Sequence, residues 1–250
     1  MITAENFLYY VLLFFTGSIL GWCIEVCCKL IQYHRFINRG FLVGPWCPIY
    51  GFGTVFISVL LTRYSEDPFA VFGLAILICG VLEYTTSYMM EKIFHARWWD
   101  YSTKKFNLNG RICADTLLPF GLLGLLLVYV ITPVMFSCFD HLSEKAIQIT
   151  CFSLSSIFVA DIIVSTITLI KIRIHAGKLK GDSTEKITNE VRSVLAEKSA
   201  LVRRTMKAFP EAKLYNRKIL VIMRERRLQI QKDIKIAKEK TRQRIQNHYD

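Results

Sequence analysis

The sequence predicts an all-α protein: a polytopic transmembrane helix bundle of about five spans with a basic helical cytoplasmic tail. Three observations predict it. Hydrophobic residues make up 52% of the 250 positions, too many for an ordinary soluble domain. They gather in five apolar stretches, near 7–31, 48–62, 69–93, 115–138 and 147–171. Four of these reach the ~20 residues a helix needs to cross a ~30 Å hydrocarbon core. Third, the net charge of +12 sits at one end, because residues 173–250 hold 21 Lys and Arg against 9 Asp and Glu. The chain therefore divides into a bundle, 1–172, with two structured cytoplasmic loops (32–48 and 94–114), and a tail, 173–250.

The first stretch is longer than the apolar core of a cleavable leader and has no basic residues before it, so it is expected to stay as an anchor. Gly17, Gly21, Glu25 and Cys28 share one helical face. The Gly17/Gly21 pair lets a second helix approach closely. A carboxylate such as Glu25 inside a span is costly, and it usually faces protein or a wet cavity. Alternatively, Glu25 reaches the headgroups or pairs with Lys29 one turn on.

The segment 38–53 follows, reading Asn-Arg-Gly-Phe-Leu-Val-Gly-Pro-Trp-Cys-Pro-Ile-Tyr-Gly-Phe-Gly. Its four glycines and two prolines break a helix. Extended or turn structure at the membrane edge is expected before the second helix, tolerated there only if protein or a water-filled cavity surrounds it. The second stretch, short and glycine-rich, is either a tilted span or a partly re-entrant one.

The third stretch carries Glu83, Ser87 and Glu91 on one face. Next comes a short loop with Arg97, Trp98, Trp99, Asp100, Tyr101, Asn107, Asn109, Gly110 and Arg111. Indole and phenol rings anchor well at the headgroup level, but a mere connector needs neither the arginines nor the amides. The fourth stretch opens with Asp115 and contains Pro119, Gly121 and Gly124. The fifth places Asp161 near its midpoint with Ser165 and Thr168 on the same face, which demands a partner, a water-lined site or protonation. The candidate binding set is thus Glu25, Arg39, Glu83, Ser87, Glu91, Arg97, Trp98, Trp99, Asp100, Asn107, Arg111 and Asp161, around a polar cavity open to the cytoplasm. The alternative is a set of isolated acid–Arg pairs that lock the bundle. The two loops also resemble each other in outline, as in a degenerate parallel repeat of two helix pairs plus one helix.

Basic residues concentrate in alternate loops: Lys29, Arg35 and Arg39, then Lys92, Arg97, Lys104, Lys105 and Arg111. The positive-inside rule then puts the N-terminus outside and the C-terminus in the cytoplasm. The eight cysteines show no zinc spacing with His and read as small buried packing residues. No metal motif is present and no cofactor is implied. In the tail, 184–208 and 219–245 show apolar residues at helical spacing among basic ones. That pattern suits a coiled coil, a partner helix or an anionic lipid surface. Nucleic-acid binding is disfavoured, since no recognised module is present.

Several strings resemble the bacterial family described as "Putative ABC-transporter type IV". They are Gly21-Trp22-Cys23-Ile24-Glu25, Arg39 to Gly53, Leu82-Glu83-Tyr84 with Ser87 and Glu91, Arg97-Trp98-Trp99-Asp100-Tyr101, and Phe106-Asn107 with Gly110-Arg111-Ile112-Cys113. They cover roughly 7–130 and leave the tail out. The resemblance implies a permease-like component of the bacterial cell membrane. The chain has no G-x-x-x-x-G-K-[ST] phosphate loop, so such a role needs a separate ATPase subunit. Two other classes stand beside it. One is a membrane enzyme acting on a phosphorylated lipid or carrier, with Arg39, Arg97 and Arg111 gripping phosphate and Glu83 or Glu91 as base. The other is a scaffold or sensor that works through its tail.

Overall fold

The computed structural model describes residues 4–34, 36–38, 40–178, 200, 201, 203, 204, 213 and 214. Its helices are α1 (Ala4–Tyr33), α2 (Pro48–Leu61), α3 (Pro68–Phe94), α4 (Ala114–Leu126), α5 (Thr132–Asp140) and α6 (Glu144–Lys178). A π-turn, Leu127–Ile131, joins α4 to α5 as one continuous rod. The fold is all-helical save for a two-residue strand pair: β1 (Ala96–Arg97) runs antiparallel to β2 (Lys213–Leu214).

Among the described residues, four helical segments are long and apolar enough to cross a membrane: Phe7–Tyr33, Pro68–Phe94, Ala114–Asp140 and Glu144–Ile174. The predicted stretch at 48–62 is different. At 14 residues α2 extends about 21 Å, short of the hydrocarbon core. What precedes it makes up the difference. The backbone N–H of Cys47 donates to the carbonyl of Ser18, which lies about 22 Å back along α1 from Tyr33. The non-helical chain at 36–47 therefore climbs alongside the last four turns of α1 before α2 begins at Pro48, whose missing N–H costs nothing at a helix start. The expected irregular segment is present, and it runs well inside the bundle rather than at its edge.

Two helical hairpins, α1 with α2 and α3 with α4, form the densest contacts, and α2 packs on α3 between them. Glycines set how close they come. A methyl on Gly51 would lie 2.2 Å from Ser18 Oγ, and one on Gly124 would lie 2.2 Å from the Ala75 Cβ. The hydroxyls of Ser58 and Thr132 share a buried 2.7 Å hydrogen bond between α2 and the start of α5. Asp67 caps α3, accepting from the backbone N–H groups of Phe69 and Ala70 at 3.0 Å each. At the other end of α3, the Arg173 guanidinium of α6 donates to the Ile93 carbonyl at 2.7 Å.

α6 runs unbroken past residue 172 to Lys178, so the boundary expected at 172 falls within a helix. The amphipathic stretches expected at 184–208 and 219–245 lie almost wholly outside the described residues. Two pieces of the tail are described against the bundle, namely the β2 strand and Arg204, which donates to the Leu42 carbonyl. All eight cysteines are free thiols, but only Cys47, Cys79, Cys113 and Cys151 are buried. Cys23, Cys27, Cys28 and Cys138 are on the outer surface of the helices, where a small weakly polar side chain suits lipid as well as protein.

Candidate functional site

A cavity of roughly 160 Å³ lies between the two hairpins. α1 contributes Gly17, Leu20, Gly21, Ile24 and Glu25, and α2 contributes Tyr50, Gly53, Thr54 and Ile57. α3 adds Cys79, Leu82 and Glu83, and the π-turn adds Leu127 and Ile131. Widened turns of this kind often line functional sites, because the extra residue redirects side chains out of helical register. Two carboxylates enter from opposite walls. Glu25 accepts a 3.0 Å hydrogen bond from the Tyr50 hydroxyl. Glu83 is 7% exposed and accepts from the Tyr101 hydroxyl at 3.2 Å and from the Thr116 hydroxyl at 3.3 Å. Among the described residues, no ion pair reaches Glu83.

The loop 95–113 closes the end of this cavity with Trp99 and Tyr101. It is a folded object. His95 ends α3 in the left-handed conformation (φ 52°), and Asn109 and Gly110 adopt positive φ at the far turn. The Asn107 side chain binds both sides of that turn: it donates to the Lys104 carbonyl at 2.7 Å and accepts from the Gly110 N–H at 2.9 Å. The Tyr101 N–H donates to the Gly110 carbonyl at 2.8 Å, and the Trp99 indole donates to the Arg111 carbonyl at 3.0 Å. Burial and then the neighbouring Glu83 carboxylate push the Tyr101 phenol above its ordinary pKa, so it remains a donor.

Two arginines fasten the loop to α3. Arg111, 3% exposed, contacts Glu91 at 2.9 Å and donates to Ser87 Oγ at 3.1 Å, with its guanidinium over the rings of Tyr84 and Tyr88. Arg97 reaches the same Glu91 oxygen at 3.0 Å and Asp100 at 3.4 Å. One carboxylate oxygen thus joins two guanidiniums, an arrangement that fixes geometry more than it stabilises. Trp98, beside Arg97 in the chain, is buried as well. Neither arginine lines the cavity.

Asp161 belongs to a third place. Its oxygens accept from the backbone N–H groups of Val43 (2.8 Å) and Gly44 (2.7 Å), from the Trp46 indole (2.8 Å) and from the Ser165 hydroxyl (2.9 Å). The first three are donors that the non-helical segment 36–47 could not satisfy within itself. Phe158 packs edge-to-face on both Phe15 and Trp46.

The single polar cluster expected from the sequence is therefore three. Glu25, Glu83 and Trp99 face the cavity. Ser87, Glu91, Arg97, Asp100 and Arg111 form the clamp beneath it, with Asn107 shaping its loop. Asp161 holds the first loop, and Arg39 lies outside the described residues. Tyr50, Tyr101 and Thr116, which hold the two cavity carboxylates, are not in the candidate set read from the sequence, where Tyr101 figures only as one of the aromatics of its loop.

The apolar helices and the carboxylates between them define a multi-pass integral membrane protein with a cavity inside its helix bundle. The chain belongs to the family described as "Putative ABC-transporter type IV", whose model matches residues 12–166, from the first helix into the last. No curated protein and no solved structure matches it.

Proposed function

We propose that this chain is the permease-like membrane component of a transporter driven by a separate ATPase, and that the α1–α4 cavity holds its cargo. The observation that carries the reading is the cavity itself: two carboxylates, held by tyrosine and threonine hydroxyls, in the interior of a bundle long enough to span a bilayer. Buried acids at that depth mark substrate or ion paths far more often than they stabilise a fold. The basic residues concentrated in these loops support an orientation with the 36–47 and 95–113 side in the cytoplasm and the N-terminus outside. On that side Phe106 and Leu108 are 86% and 54% exposed at the tip of the second loop, beside Lys104 and Lys105. They offer the coupling surface for the ATPase.

A lipid-phosphate enzyme fits less well, because Arg97 and Arg111 are already matched to Glu91, Asp100 and Ser87. A tail-borne scaffold keeps one observation in its favour, the contact of β2 and Arg204 with the two loops. The test is purification from native membranes in a lipid-retaining medium, with mass spectrometry of all that remains bound. A stoichiometric ATPase, lost in Phe106→Ala/Leu108→Ala while membrane insertion is unchanged, supports the transporter. Its absence from the wild-type preparation overturns that reading. Function that survives removal of 200–250 sets the scaffold aside.

A further inference from the structure

We propose that the cavity binds a single-chain amphiphile with an ammonium head, admitted sideways from the bilayer between α1 and α4. The proposal deepens the reading above and rests on the cavity being the binding site.

The shape supplies the route. α1 is packed against α2, and α4 against α3, yet α1 and α4 share at most a marginal contact although both border the cavity. Among the described residues, that wall is the open one. Leu20 and Ile24 line the cavity from α1 and are still 41% and 43% exposed, so the lining runs out into the lipid-facing surface without a polar rim.

The charge supplies the head. Glu83 is almost wholly buried and accepts two hydroxyl donors, neither of which carries charge. Among the described residues, no Lys or Arg lines the cavity. The neighbouring arginines are committed to Glu91, so the same bundle pairs one inner carboxylate with two guanidiniums and leaves the other to hydroxyls. A carboxylate in a low-dielectric site gains most from a cation that arrives with its own hydrogen-bond donors. An ammonium presents three of them to Glu83. A phosphate head would meet a like charge there. The remaining lining, Ile57, Leu123, Leu127 and Ile131, takes an alkyl chain.

The probe is a dodecylamine bearing a diazirine, with the matching dodecanol and dodecyl phosphate as controls. Each is irradiated with the full chain in phosphatidylcholine nanodiscs, and labelled residues are mapped by peptide mass spectrometry. Labelling at Leu20, Ile24 or Leu123 by the amine is expected to exceed that by the alcohol roughly tenfold, to fall by a similar factor in Glu83→Gln, and to return in Glu83→Asp. Equal labelling by the alcohol removes the charge requirement and overturns the proposal. So does labelling that Glu83→Gln leaves unchanged. If no probe labels these residues and Leu20→Cys forms a disulfide between two chains, the gap is covered by a second copy and no lipid path exists. The assay uses this chain alone in nanodiscs with no ATPase added, so binding is read independently of whether the chain transports.

Discussion

The two inner loops look alike in sequence and are held in opposite ways. Each follows a Glu-bearing helix, each carries aromatics beside an Asn/Arg/Gly cluster, and each leads to a helix interrupted or opened by proline. The loop 95–113 is fastened by its neighbours: Asn107 across its own turn, and Arg97 and Arg111 to Glu91 and Ser87 of the preceding helix. The segment 36–47 is fastened from afar, by Asp161 of α6, more than a hundred residues away in the chain. The physical reason is depth. A loop at the surface can turn its spare backbone groups to water or to itself, whereas one threaded beside α1 needs acceptors brought by another helix. The clamp of the second loop therefore needs only the α3–α4 hairpin, with β2 of the tail added at Ala96–Arg97, whereas the hold of Asp161 on the first loop requires α6.

The comparison can be broken from either side. Arg111→Ala leaves Glu91 short of a buried partner and is expected to cost about 3–5 kcal/mol, the cost of breaking a buried pair. Denaturant titration in mixed micelles would read it, and Arg111→Lys should lose less, keeping the charge but not the fork. Asp161→Ala leaves two backbone N–H groups and an indole without an acceptor. It should cost about 2–4 kcal/mol and shift the Trp46 emission, while leaving the fluorescence of the second loop unchanged in single-Trp variants. A loss at both loops from either change would show that they do not form separately.

Gly51→Ala sets a methyl 2.2 Å from Ser18 Oγ and 2.6 Å from the Phe14 carbonyl, and overpacking of this kind costs about 1–3 kcal/mol. Gly73→Ala meets nothing within 4 Å and serves as the neutral control. Gly110→Ala is strained by its φ of +66° and by Asp100 Oδ1 at 2.7 Å. It should loosen only the second loop, by about 1–2 kcal/mol.

The smallest effect is in pH. Burial, then the Arg173 guanidinium, lowers the pKa of His95, which ends α3. A lowered value means that this contribution to stability is present above the ordinary histidine pKa of about 6.5 and is lost as pH falls through the folded one. Stability compared above and below pH 6.5 should show a small decline that His95→Asn removes, asparagine also tolerating the left-handed backbone.

Much of the architecture was legible before any coordinates. Hydropathy marked the spans, since burial in lipid requires long apolar helices whatever their neighbours. Glycine and proline density marked 38–53 as irregular, and carboxylates were expected along the helices, at Glu25, Glu83, Glu91 and Asp161. Their separate purposes were not legible. Helical spacing puts Glu83 and Glu91 on one face of α3 but does not say which of them an arginine will reach. That depended on a loop whose path is set by left-handed residues and an asparagine bridge.

By itself the sequence determined how many apolar helices there are, where the chain cannot be helical, and which polar groups must be accommodated within them. These follow from local chemistry: residue hydropathy, backbone freedom and the cost of burying charge. Only the tertiary structure decided that Asp161 is a fastener, Glu91 a clamp and Glu83 an acid that no basic side chain among the described residues pairs with. Each of those roles depends on which helix comes to lie beside it, and helix neighbours are chosen by glycine faces and packing across the whole bundle.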